Sequence, residues 1–154
     1  MSRIAERDNK RRMVIMSYRI ADNCVGCSLC ARVCPVLAIT GPPKQMYTVN
    51  EKRCVECGVC GRVCTKSAIL DPQGNITQPI SRKLWPLPQI NTSLCSACGI
   101  CVEACGMRAL AISQPRFRGD IHVYAYLQDP KKCMGCAICS WSCPLDAIRM
   151  EDKS

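Results

Sequence analysis

The chain has 154 residues, 48% apolar and 21% charged, with four Tyr, two Trp, one Phe, sixteen Cys and a formal charge of +9. That length allows one ordinary domain or two small ones. Two small domains with so few aromatics have thin cores that need cross-links or metal to hold together, and the cysteines supply that remedy; intrinsic disorder is excluded. The charge would suit nucleic acid or an anionic membrane, but metal-bound thiolates carry charge that the formal count omits. No stretch approaches 18 consecutive apolar residues, so no membrane span is expected.

Residues 1–16 read as a basic arm carrying Arg3, Arg7, Lys10, Arg11 and Arg12. Lys10-Arg11-Arg12 faintly resembles a twin-arginine export signal. The apolar run behind it, Met13 to Met16, is too short for a signal. The expected compartment is therefore the cytoplasm, where thiols stay reduced and many disulfides are not expected.

The cysteines then fall into four groups: 24, 27, 30, 34; 54, 57, 60, 64; 95, 98, 101, 105; and 133, 136, 139, 143. Each reads C-x2-C-x2-C-x3-C. A small residue follows every second cysteine (Ser28, Gly58, Gly99, Ala137), and an aliphatic residue precedes every third (Leu29, Val59, Ile100, Ile138). Four residues after the last cysteine come Ala38-Ile39, Ala68-Ile69, Ala109-Leu110 and Ala147-Ile148. A repeat this regular is one structural unit used four times.

Group starts lie 30, 41 and 38 residues apart, which suggests two pairs. Gly41-Pro42-Pro43 reads as a turn, and Met46-Tyr47-Thr48-Val49 as the strand after it. Asp71 to Asn75 is a strong turn, followed by a stretch spaced by Pro79, Pro86 and Pro88 that reads as an extended connector. Pro115 to Asp120 reads as a turn, and Ile121 to Leu127 is the best strand candidate in the chain. Helical pieces are expected as single turns at the fourth cysteines, with the Ala-Ile or Ala-Leu pairs packing beneath. The expected organisation is an arm at 1–16, a two-group domain at 17–75, a connector at 76–87 and a second two-group domain at 88–154.

Three thiolates within seven residues can wrap three corners of one compact inorganic core, while the fourth starts to turn away. Loops of two residues are too short for three separate disulfides. Structural zinc joins two C-x-x-C knuckles across a longer gap, and the C-x3-C-x2-C spacing of radical enzymes is absent. The pattern is the iron–sulfur spacing in which the fourth Cys ligates the other cluster of a two-cluster ferredoxin. Small residues after the second Cys let backbone N–H groups approach cluster sulfurs, which helps set the potential.

On these residues the chain resembles the bacterial-type ferredoxins that hold two [4Fe-4S] clusters, here twice in tandem, over all but the arm and part of the connector. The resemblance implies an α+β fold of two ferredoxin-type domains, with short hairpins and helices wrapped around four [4Fe-4S] clusters. It implies crossed ligation: Cys24, Cys27, Cys30 and Cys64 for cluster one; Cys54, Cys57, Cys60 and Cys34 for cluster two; Cys95, Cys98, Cys101 and Cys143 for cluster three; Cys133, Cys136, Cys139 and Cys105 for cluster four. Relatives of formate dehydrogenase and dimethyl-sulfoxide reductase electron-transfer subunits instead pair group one with four and two with three. The twenty-residue step from Cys34 to Cys54 favours local pairing. Proline follows the fourth cysteine in groups one and four (Pro35, Pro144), but Thr65 and Gly106 stand there in the others, which should loosen the local turn.

Among four-cluster chains of this size, the sequence looks most like the polyferredoxin subunits of tungsten-containing aldehyde oxidoreductase complexes. Formate dehydrogenase and hydrogenase small subunits share the layout, and a free-standing multi-cluster ferredoxin is the other reading. The resemblance implies a non-catalytic electron wire in an anaerobic host. Its expected partners are a large catalytic tungsten or molybdenum subunit and further copies of itself. No Ser/His/Asp set, P-loop or G-x-G-x-x-G argues for an enzyme. No helix-turn-helix or aromatic platform argues for nucleic acid. His122 falls in the alternating strand pattern, Trp85 and Trp141 are expected as packing residues with Trp141 shielding a cluster from water, and Lys131 and Lys132 read as solvated. Sixteen thiolates and four oxidised cores would bring the formal +9 to about +1. Residues 1–19, with six basic and two acidic residues, then hold most of the positive charge.

Overall fold

A computed structural model describes residues 17–153, so the basic arm at 1–16 lies outside the described residues. The elements in order are β1 (Arg19–Ile20), α1 (Leu29–Val33), β2 (Ile39–Thr40), β3 (Thr48–Val49), α2 (Val59–Val63), β4 (Ile69–Leu70), a 3-10 turn (Arg82–Leu84), β5 (Leu87–Ile90), α3 (Ile100–Ala104), β6 (Leu110–Ile112), β7 (Ala125–Leu127), α4 (Ile138–Trp141) and β8 (Ile148–Glu151). Two halves share one plan. The outer strands pair antiparallel, β1 with β4 and β5 with β8, while the inner ones form a hairpin, β2 with β3 and β6 with β7.

None of these elements would persist alone. Helices of four or five residues lie far below the length at which a helix is stable in water, and isolated two-stranded ribbons are marginal. What holds them is burial around the cysteines. In the first half Cys30, Cys34, Ala38, Ile39, Tyr47, Cys60 and Ile69 form one buried cluster. In the second, Cys101, Leu110, Ala125, Cys139 and Ile148 form its counterpart. A third cluster, Val33, Val59 and Trp85, has Cys57 of the first half and Met134 and Cys136 of the second packed against it. The halves are thus joined by a buried apolar contact.

Several elements differ from expectation. The strand expected over Ile121–Leu127 shrinks to Ala125–Leu127, because its partner β6 offers only Leu110–Ile112 to pair with. Upstream, the Asp120 carboxylate accepts hydrogen bonds from the N–H groups of Arg116 (3.0 Å) and His122 (2.9 Å) and closes a loop instead. His122 is therefore an exposed loop residue. The expected strand at 46–49 keeps only Thr48–Val49, and Tyr47 turns into the core. The helices run through the third cysteine rather than sitting at the fourth, which follows as a cap or one residue beyond.

The connector carries a 3-10 turn and buries Trp85, whose Nε1 donates to the Ile80 carbonyl at 3.0 Å. Leu87 already belongs to β5. Pro88 is tolerated there because both strands of a two-stranded sheet are edges. Trp141 is 61% exposed, in contrast to Trp85 at 4%. Among the described residues no helix is long and apolar enough to cross a membrane.

Candidate metal centres

Each motif bends its backbone the same way. Counted from the first cysteine, the residues at positions +2, +4 and +13 are left-handed: Gly26, Ser28 and Leu37; Glu56, Gly58 and Ser67; Ala97, Gly99 and Arg108; Gly135, Ala137 and Asp146. Left-handed backbone is costly for any residue with a Cβ, so a loop that adopts it at identical offsets four times is over-determined by its surroundings. The +4 residue is the N-cap of each short helix, with φ of 62°, 73°, 80° and 64°. This is why that position is small. The +2 and +13 positions escaped the sequence reading because Glu56, Leu37 and Arg108 carry no compositional mark of a left-handed turn.

A second repeated device serves the fourth cysteine. Its sulfur accepts a hydrogen bond from the backbone N–H four residues on: Ala38 to Cys34, Ala68 to Cys64, Ala109 to Cys105 and Ala147 to Cys143, each at 3.3 Å. These alanines are 1–2% exposed, so a larger side chain has no room. Cys95 receives a further bond from the Ala125 N–H at 3.4 Å.

Four cavities result, and each is lined by four cysteines. Cys24, Cys27, Cys30 and Cys64 surround one, and Cys34, Cys54, Cys57 and Cys60 another. Cys95, Cys98, Cys101 and Cys143 surround a third, and Cys105, Cys133, Cys136 and Cys139 the fourth. Every cavity draws three cysteines from one motif and the fourth from its neighbour in the same half. Among the described residues no group of three or more His, Cys, Asp or Glu gathers as a site for a single ion. The four thiols of each site instead line a shared cavity.

The electrostatics favour the same occupant. Burial pushes the Cys60 and Cys139 thiols up to about 12, and neighbouring thiols add to the rise. Burial likewise raises Cys30 and Cys57 to about 11. Four crowded, desolvated thiols cannot all ionise by themselves; a cationic core that bonds to each sulfur reverses that logic. The donor set, all sulfur, suits zinc or iron–sulfur clusters, and the fourfold C-x2-C-x2-C-x3-C spacing selects the latter.

The model for the 4Fe-4S dicluster domain matches residues 23–68 and again 94–152. The chain belongs to this family and carries its domain twice. It is an iron–sulfur protein of ferredoxin-like, electron-transferring type, with [4Fe-4S] clusters as its cofactors. Among solved structures it is similar to a chain of the formate dehydrogenase–heterodisulfide reductase–formylmethanofuran dehydrogenase complex from Methanospirillum hungatei, with 25% identity and a TM-score of 0.33. That match covers 84% of this chain and 52% of the other, so the protein spans about half the length of that relative.

Proposed function

We propose that the protein is a non-catalytic electron-transfer subunit that carries four [4Fe-4S] clusters as a wire to or from a catalytic oxidoreductase partner in the cytoplasm. Bound clusters supply one-electron carriage; the chain supplies ligation, spacing and insulation. The proposed ligands are Cys24, Cys27, Cys30 and Cys64; Cys34, Cys54, Cys57 and Cys60; Cys95, Cys98, Cys101 and Cys143; and Cys105, Cys133, Cys136 and Cys139. The domains run over 17–75 and 88–154, joined by 76–87. The observation that carries this reading is the presence of four cavities, each lined by four cysteines. A tungsten-containing aldehyde oxidoreductase is the proposed partner, on the resemblance of the sequence to its polyferredoxin subunits.

Anaerobic purification from the native host tests the proposal. The expected result is a large tungsten-containing subunit that co-purifies, close to sixteen irons per chain, and reducible [4Fe-4S] signals in paramagnetic resonance. A chain that emerges alone with the same iron would be a free-standing ferredoxin. A chain holding zinc and no sulfide would overturn the reading altogether.

A further inference from the structure

Pro35 lines two of the four cavities, that of Cys34, Cys54, Cys57 and Cys60 and that of Cys105, Cys133, Cys136 and Cys139. Among the described residues no other is shared between any two of the four. Opposite Pro35 stands Gly106, where a Cβ would fall 2.4 Å from the Pro35 carbonyl oxygen. The proline expected after the fourth cysteine is missing at 106 because the two halves meet there, backbone against backbone.

Arg62 stitches the same seam. Its guanidinium donates to the carbonyls of Met134 (3.2 Å) and Gly135 (3.0 Å) in the second half and of Cys57 (3.3 Å) in the first. The Trp85 cluster, with Cys57 and Cys136 packed against it, fills the contact with apolar side chains. The other two cavities lie away from this seam. Each of them holds a solvent-exposed cysteine, Cys27 in one and Cys98 in the other, and the other fourteen are buried or half-buried.

We infer that electrons do not follow the order of the motifs in the sequence. They pass from the Cys24/27/30/64 site to the Cys34/54/57/60 site, across the Pro35–Gly106 seam to the Cys105/133/136/139 site, and end at the Cys95/98/101/143 site. The inference rests on the proposed four-cluster reading. Each step moves one electron from a reduced site to its oxidised neighbour. A one-electron donor docks at the Cys27 or Cys98 face, and a one-electron acceptor docks at the other. Electron tunnelling falls steeply with the width of the gap, so the seam, closed by a residue without a side chain, is the crossing between halves.

The test is magnetic. Holoprotein loaded with iron and sulfide is reduced anaerobically with titanium(III) citrate, and spin–spin coupling is read by pulsed paramagnetic resonance. With the outer sites disabled (Cys27→Ala with Cys98→Ala), the two remaining signals should stay coupled. With Cys27→Ala and Cys136→Ala, which leaves the pair that an order along the sequence would join, coupling should be lost. Equal coupling in the two double variants would overturn the inferred path. In case those variants fail to fold, Gly106→Ala and Gly106→Leu keep all sixteen cysteines. Coupling across the seam should weaken in that order at unchanged iron content, and unchanged coupling would overturn the inference. A wild-type chain that binds no iron–sulfur would instead sink the four-cluster reading itself.

Discussion

The backbone N–H of Ala38 donates to the sulfur of Cys34 at 3.3 Å, and Ala38 is 1% exposed. One residue thus does two jobs that pull toward the same small side chain: it polarises a sulfur and fills the space under the site. Ala38→Val keeps the donor and adds two methyl groups where no room exists. Overpacking of this kind costs about 1–3 kcal/mol. Chemical denaturation of the loaded protein should show that loss, and iron should be released at a lower denaturant concentration. Equal midpoints would mean the alanine is not packed as described.

Leu37, next to it, is strained for no packing return. Its φ is 52° and its side chain is 63% exposed. A left-handed residue with a Cβ costs about 1–2 kcal/mol, and glycine removes most of that. Leu37→Gly is expected to stabilise the protein by about 1 kcal/mol, less the greater freedom glycine gives the unfolded chain. A lower melting temperature for the variant would refute the account.

How much of this could be read from the sequence follows from what kind of physics each feature obeys. The cysteine spacing speaks directly, because ligands to a rigid core must sit at fixed offsets. The paired organisation follows from the gaps between Cys34 and Cys54 and between Cys105 and Cys133. The left-handed turns at Glu56 and Arg108 were silent, since the metal site forces the backbone whatever side chain stands there. The seam was silent too: Gly106 looked like a missing proline, and Trp85, expected to pack and 4% exposed, gave no sign of what it packs against. Both take their meaning from a partner far away in sequence, Pro35 for one and Met134 for the other. The long strand expected from Ile121 failed for the converse reason, as alternation alone does not say how long the opposing strand is.

The loop that replaced that strand depends on Asp120, whose side chain is 1% exposed. The N–H of Arg116, then that of His122, and then the Arg116 guanidinium hold its carboxyl below the ordinary carboxylate value. A depressed carboxyl contributes stability above its unfolded pKa and loses that contribution as pH falls through the folded value. The His122 amide should therefore exchange slowly at neutral pH and lose protection below about pH 4. Asp120→Asn should flatten that dependence, and trypsin should cut it faster at Arg116 and Arg118. A variant cut at the wild-type rate would show that the loop is held by something else.

Removal of iron should act on the whole described fold. Cysteines belong to all the buried clusters or pack against them, and the short strands and helices cannot persist unaided. Stripping the metal leaves thiol-lined voids where the core was. Chelation under mild oxidation is expected to abolish the far-ultraviolet dichroism of both halves in step with the loss of visible absorbance. Dichroism that outlasts the absorbance would mean the apolar packing suffices.

Trp85 gives the sharpest separation between folding of the halves and their joining. It is 4% exposed, its Nε1 donates to the Ile80 carbonyl, and the guanidiniums of Arg82 and Arg62 lie 4.8 and 6.0 Å from its ring centroid. Arg82 reaches across to the carbonyls of Lys131 and Cys133, so the stacked ring also orients a link between halves. Trp85→Phe keeps most of the buried area and the aromatic face but removes the indole donor, which leaves the Ile80 carbonyl short of one partner. Its cost should be about 0.5–1.5 kcal/mol. Trp85→Ala empties the seam and should cost about 3–5 kcal/mol. Because each half also has a buried cysteine cluster of its own that does not include Trp85, the Ala variant is expected to keep its full iron content while the halves lose their fixed relation. Small-angle scattering would register an increase in radius of gyration, and iron analysis would register no change. Loss of iron in parallel with the expansion would show instead that the halves do not stand without the seam.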